Sequence, residues 1–341
     1  YKIKLDQFEK NKCLTLDEIY LIEYASYHRS LKIFKFLMMN DAQYSKYLLN
    51  YAICGGNHEI VHLAEKHVKD KLEEEDMKEI LNLSIIFHRY ELFEYIIENY
   101  DIKIQSDDFL TAIFYSNYFF FSNHIIEYEN EYNILMDIKE NSYISEAENL
   151  KLEEMKEKIN ELFLISAQNV DPFFIKLLSN IKDINFNQNF EPKSKNLSVT
   201  NPLVSAIQSK INENAKFLLS IQDVDPDCHL SNRTTPFLWA CFVGNLEMVE
   251  YLINNYYIDK KDGKGPINVL QTLEQSGENA LHLATREYNL DVVKYLISLN
   301  KFDLSMQSSQ GETPIQTAAR LGYKDIFDVL KSASIKAGIK I

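Results

Sequence analysis

The feature that most constrains the fold is a pattern that recurs from one end of the chain to the other. Anchor residues, most of them small, stand at Ala25, Ala52, Ser84, Ile113, Ile165, Ala206, Ala240, Ala284 and Ala318, and the third residue before each is apolar: Ile22, Leu49, Leu81, Leu110, Leu162, Leu203, Phe237, Leu281 and Ile315. The positions eight, nine and twelve residues after each anchor are apolar in 25 of 27 cases, against about 12 expected by chance from the overall apolar content. The two exceptions are Ser122 and Asn214. Stripes at this spacing are the apolar faces of two short helices. A lone helical hairpin cannot bury both faces, so it buries them against the hairpins before and after it. The pattern therefore predicts a row of nine helix pairs and argues against a globule built on a central sheet. Nine glycines and seven prolines in 341 residues suit helices joined by short loops and are too few for an all-β sandwich.

Three C-terminal segments align without a gap: TTPFLWACFVGNLEMVEYLI (234–253), GENALHLATREYNLDVVKYLI (277–297) and GETPIQTAARLGYKDIFDVL (311–330). They resemble the ankyrin repeat, whose hallmark is T-P-L-H-x-A followed by an apolar second helix. Thr235-Pro236 and Thr313-Pro314 supply the opening, in which the hydroxyl caps free amides and proline occupies the first turn; Asn201-Pro202 keeps a capping side chain. The resemblance implies an all-α ankyrin-repeat solenoid of about nine helix-turn-helix units, with β-hairpin fingers mainly in the C-terminal half. Anchor spacings of 27 to 32 in the first third leave little room for fingers, whereas 41 and 44 imply lengthened fingers near residues 180–200 and 254–276. A 52-residue spacing holds an acidic insertion. Residues 127–161 carry eleven acids and four lysines, and Leu150, Leu152, Met155 and Ile159 predict a helix packed on one side and solvated on the other. The expected organisation is residues 1–126 as an N-terminal cap and short divergent repeats, 127–158 as the helical insertion, and 159–341 as C-terminal repeats and cap, in one continuous or two-stack solenoid.

Charge and motifs exclude much else. Acids outnumber bases 50 to 36, for a net charge of −14, which disfavours a surface-wide nucleic-acid footprint. No apolar run reaches the roughly 18 residues a membrane helix needs. No phosphate-cradle, dinucleotide, zincin or nucleophile-elbow motif occurs, so no catalytic, cofactor-binding or metal-binding residue is expected. His58 and His62 lie one helical turn apart but have no accompanying ligand pattern. Cys13, Cys54, Cys228 and Cys241 show no pairing or ligand spacing and are read as reduced thiols, which suggests the cytoplasm. The acidic run Glu73–Asp76 reads as a solvated helix start, and Trp239 as an inter-repeat core residue. His282 takes the H of the repeat hallmark, and the resemblance implies that it hydrogen-bonds between neighbouring fingers.

The resemblance implies a non-catalytic scaffold that binds another protein through the concave face and finger loops, expected as a monomer because the polar end Lys331–Lys336 can act as a cap. The residues free to specify a partner precede the Thr-Pro opening or follow the anchor: Thr200, Gln208, Ser209, Thr234, Phe242, Val243, Ser276, Glu278, Arg286, Glu287, Gln310, Glu312, Arg320 and Leu321. The alternative is the recognition domain of a longer enzyme whose catalytic domain is absent from this chain.

Overall fold

The computed structural model describes residues 2–4, 18–100, 102–141, 144–190, 200–230, 233–257 and 267–339. The chain forms two compact units, Tyr1–Lys158 and Ile159–Ile341. The first opens with an antiparallel ladder of β1 (Lys2–Lys4) and β2 (Glu18–Tyr20), Ile3 facing Ile19, which the repeat pattern does not announce. It continues with α1 (Leu21–Tyr27), α2 (Leu31–Met39), α3 (Leu48–Gly55), α4 (His58–Val68), α5 (Glu74–Ile86), α6 (Tyr90–Tyr100), α7 (Ser106–Phe114) and α8 (Tyr118–Asn141), then enters α9 (Glu146–Ala167). The second unit holds the end of α9, α10 (Phe173–Leu178), α11 (Pro202–Gln208), α12 (Asn212–Ser220), α13 (Pro236–Phe242), α14 (Leu246–Tyr256), α15 (Ala280–Arg286), α16 (Leu290–Ser298), α17 (Pro314–Leu321) and α18 (Lys324–Lys336). The helices of the described residues thus make nine pairs. Every expected anchor falls in the first helix of its pair.

Eight of the nine pairs turn by the same device. The residue four past the anchor is left-handed in eight repeats: Arg29, Gly56, His88, Ser116, Lys210, Gly244, Tyr288 and Gly322, with φ between 53° and 78°. That conformation lets the next amide bond back to the anchor carbonyl, as Arg89 N does to Ser84 O (2.8 Å), Asn245 N to Ala240 O (2.9 Å) and Asn289 N to Ala284 O (2.8 Å). Orphan carbonyls at the helix end are satisfied in this way. Only three of the eight are glycine, so the signal usually read from sequence is missing at the other five.

The same bond corrects the register in α7, and burial corrects it in α9. Asn117 N bonds to Ala112 O, and Ala112 rather than Ile113 is the anchor of α7; Phe109, Phe120 and Phe121 are its buried partners, while Leu110 is only partly covered. In α9 the anchor is Ser166, with no exposed surface, and not Ile165; Phe163, Phe174, Ile175 and Leu178 form the core around it. Both segments are so rich in apolar residues that frames one residue apart look alike in sequence. Close helix approach discriminates between them, because it needs the smaller side chain. In the first unit that approach is tight enough that a Cβ on Gly55 would lie 2.5 Å from Ser26 O and 2.9 Å from Tyr27 O.

Asn214 breaks the apolar pattern for a structural reason. It is fully buried, and its Nδ2 donates to Ala167 O (3.2 Å) and Asn169 O (2.7 Å) at the end of the preceding first helix. Asn117 donates to Ile85 O (2.8 Å) and Asn289 to Cys241 O (3.0 Å) and Phe242 O (2.7 Å) in a related way. Buried donors are tolerated when paired, and these Nδ2 groups join one repeat to the next.

The fingers are slighter than expected. Among the described residues they carry single bridges, Phe190 with Thr200 and Thr272 with Asn279; residues 191–199 and 258–266 lie outside those described. The acidic segment is not a separate helix beside the array. It is the second half of α8 and the first half of α9, joined by Lys139–Glu153 (2.8 Å) and Lys151–Glu131 ion pairs. Leu152, Met155 and Ile159 are buried as their spacing suggests, but Leu150 is 62% exposed. The run Glu73–Asp76 does start a helix, Glu73 N donating to Asp76 Oδ2 at 3.0 Å. Cys228 and Cys241 are free and buried, burial holding the Cys228 thiol up at about 12. Cys54 is disulfide-bonded, which corrects the expectation of four reduced thiols and removes the basis it gave for a cytoplasmic setting. No spacing motif signals that linkage. Among the described residues no helix is long and apolar enough to cross a membrane.

Candidate protein-binding surface

In the last two repeats of the second unit the end of the first helix meets the base of the finger, where Arg320 reaches Glu312 and Arg286 reaches Glu278. The caps form as the sequence suggests. Asn201 Oδ1 accepts from Val204 N at 2.9 Å, and Thr235 Oγ1 accepts from Leu238 N at 3.3 Å. Thr313 and Gln316 form a reciprocal capping box. These bonds hold each first helix at a set distance from its finger.

The fourteen expected specificity residues separate into three groups. Gln208, Ser209, Glu287, Gln310 and Arg320 are exposed. Thr200, Phe242, Val243, Ser276, Glu278, Arg286, Glu312 and Leu321 are half-buried. Thr234 is 2% exposed, its carbonyl accepting from Leu230 N at 3.0 Å, so it closes the finger and is not free to meet a partner. Thr200 likewise exchanges both backbone bonds with Phe190, at 2.7 and 3.2 Å.

Several of these residues are already engaged with one another. Arg320 grips Glu312 through two bonds, Nε to Oε1 at 2.7 Å and Nη2 to Oε2 at 3.0 Å, and this pairing pulls the Glu312 carboxyl below its ordinary value. One repeat earlier the same positions hold Arg286 and Glu278, with Nη1 3.4 Å from Oε2. A guanidinium–carboxylate fork positions both side chains even where exposure limits its contribution to stability. Arg286 also lies over the Phe242 ring, 5.5 Å from its centroid, and Phe242 packs on Trp239 with centroids 5.3 Å apart. Trp239 corrects an expectation. It is partly exposed rather than core, and its buried Nε1 has no hydrogen-bond partner. The sequence pattern pointed to Phe242 but assigned Trp239 inward because it stands beside Ala240.

His282 is 1% exposed. Its Nε2 donates to Glu312 O (3.0 Å) in the next repeat, and its Nδ1 faces Asn279 N (3.4 Å) within its own capping box. Desolvation lowers its pKa, as expected for a neutral structural imidazole. His58 stands 3.2 Å from Glu91 and His62 3.5 Å from Glu65. Among the described residues no three His, Cys, Asp or Glu side chains gather as metal ligands would.

Comparison with known proteins agrees with this architecture. The family model described as ankyrin repeats (3 copies) matches residues 162–263 and 263–340. A second model, a domain of unknown function designated DUF3447, matches residues 39–124 in the first unit. No curated protein matches. Ankyrin repeats generally mediate protein–protein interaction, and their helical fold is typically non-catalytic. With a repeat match over more than half of its length, the chain belongs to the ankyrin-repeat family.

Proposed function

We propose that the chain is a non-catalytic scaffold that binds a partner protein through the concave face of its second unit. One observation carries this reading: Trp239, Phe242 and Arg286 lie together, partly exposed, at the ends of consecutive first helices. Tryptophan, aromatic and arginine side chains supply most interface hot spots. The Glu278–Arg286 and Glu312–Arg320 pairs hold two arginines in place before any partner arrives, which lowers the ordering cost of association. Gln208, Ser209, Glu287 and Gln310 then form a polar rim. A photo-crosslinking residue at position 242 tests the proposal against the same residue at position 291, where Asp291 is well exposed on a second helix. Capture of a defined protein at 242 alone, lost on Phe242→Asp, supports the proposal. Equal capture at both positions, or capture indifferent to Phe242→Asp, refutes it.

A further inference from the structure

The second helices of the last two repeats, α16 and α18, border an open cavity of about 820 Å³. Its size falls within the range of ligand-binding clefts. Ile297, Phe302, Val329 and Ala333 supply apolar lining, and Asp303, Asp328 and Lys336 are its charged side chains. None of the fourteen residues expected to specify a partner lines it.

The two preceding junctions show what closes such a gap. Between the sixth and seventh pairs, Tyr256 reaches back so that its hydroxyl donates to Leu219 O at 2.6 Å, with the Tyr251 ring 6.3 Å away between centroids. Between the seventh and eighth, Lys301 Nζ lies 4.9 Å from the centroid of the Tyr257 ring. Counted from the anchors, Ile297 corresponds to Leu219 and Val329 to Tyr251, and both line the cavity. Ser334 stands in the place of Tyr256 and is 2% exposed, while Ile335 stands in the place of Lys301 and is 62% exposed. Neither the ring nor the cation that closes an earlier junction has a counterpart at its position here.

The charges around the cavity favour a cation. Asp303 Oδ1 accepts from Ser305 N (2.9 Å) and Oγ (2.6 Å), whereas Asp328 is engaged only through its backbone carbonyl, by Ser332 Oγ at 2.8 Å. Neither carboxylate forms an ion pair among the described residues. α16 ends at Ser298 and α18 at Lys336, both in the cavity wall, which adds the negative ends of two helix dipoles. Lys336 is the one lining cation. The neighbouring lysines are turned elsewhere, Lys294 to Asp291 at 4.0 Å and Lys331 over the Phe327 ring at 5.9 Å.

We propose that this cavity receives a segment of a partner protein that inserts an aromatic side chain against Ile297 and Val329 and sets an adjacent basic side chain beside Asp328. The proposal goes beyond the concave-face reading: it adds a contact on second helices and does not require the first.

The full chain, carrying ¹³C-methyl isoleucine and valine, is titrated with the end-blocked peptides Ser-Tyr-Arg-Ser, Ser-Ala-Arg-Ser and Ser-Tyr-Gln-Ser and with tyramine, and the methyl signals of Ile297, Val329 and Ile339 are followed by NMR. Saturable shifts at these methyls are expected with Ser-Tyr-Arg-Ser. The alanine peptide should bind at least about tenfold more weakly, the loss of one buried ring. The glutamine peptide should bind about fivefold more weakly, the scale of an exposed ion pair. Asp328→Asn should lose that same factor and Lys336→Gln should gain it, while added salt should weaken the arginine peptide. Ala333→Trp, which fills the cavity, should abolish the shifts. Asp328 and Lys336 are exposed, so their opposite effects test the proposal even where the tryptophan disturbs α18. Absence of saturable shifts, equal binding of the three peptides, tyramine matching Ser-Tyr-Arg-Ser, or weakening by both charge variants overturns the proposal. Phe242→Asp should leave these shifts intact, and Asp328→Asn should leave capture at position 242 intact, so the two readings fail separately.

Discussion

Replacing Gly244 with alanine tests the junction between two repeats at a single atom. Gly244 closes α13 at φ +69°, where a non-glycine residue costs about 1 kcal/mol. Its Cβ would also stand 2.6 Å from Asn289 Cγ and closer still to Oδ1. Asn289 cannot yield freely, because its Nδ2 holds Cys241 O at 3.0 Å and Phe242 O at 2.7 Å. Moving it gives up two bonds, each contributing about 1 kcal/mol net. Gly244→Ala is therefore expected to cost about 3 kcal/mol and Asn289→Ala about 2 kcal/mol. The double variant should again cost about 3 kcal/mol, because the same two bonds are lost once, which gives a coupling near 2 kcal/mol. Gly322→Ala is the control: its φ is +74° and a Cβ there meets nothing within 4 Å, so only the backbone cost of about 1 kcal/mol remains. Urea unfolding of the four variants measures all of this. Additive losses for Gly244 and Asn289, or equal costs at 244 and 322, would refute the reasoning that side chain and turn form one device.

Three further outcomes follow from the same geometry. In the corrected frame of α10, Ile175→Ala should cost about 2–5 kcal/mol, and clearly more than Leu177→Ala, because Ile175 is fully buried and Leu177 is not; equal losses in urea melts would restore the frame anchored on Ile165. Lys210 is left-handed and exposed, so Lys210→Gly should stabilise by up to about 1 kcal/mol, the strain relieved less the entropy lost, and a fall in unfolding midpoint would contradict that. Burial lowers the pKa of both His124 and His282 in the folded chain. The unfolded state therefore takes up more protons as pH drops below about 6.5, and stability should fall through that window and be flat above it. Urea titrations between pH 5 and 8 check the sign, and His282→Gln should reduce the slope.

Much of the architecture was legible in the sequence because stacking is written locally. A helix that buries one face must repeat apolar residues at helical spacing whatever lies beside it, and Ala206, Ala240, Ala284 and Ala318 mark the frame without ambiguity. Legibility failed where local chemistry was degenerate. Around Ile113 and Ile165 almost every neighbour is apolar, and only the contact between helices shows that Ala112 and Ser166 are the residues that fit. Five of the eight left-handed turns lack glycine, since a paired helix end can hold Arg29, His88, Ser116, Lys210 or Tyr288 in that conformation.

The proposed binding surfaces divide in the same way. Residue spacing was enough to nominate Phe242, Arg286, Glu312 and Arg320, because positions beside an anchor and a cap recur in every repeat. It could not tell that Thr234 is sealed beneath its finger, that Trp239 reaches the surface or that the arginines already hold their glutamates. Asp303 and Asp328 stand twenty-five residues apart in the chain and share no motif. Periodic burial is a property of each helix and can be read from its own residues, whereas the open cavity between α16 and α18 depends on how two repeats meet where no ring fills the junction, and only the tertiary structure could decide it.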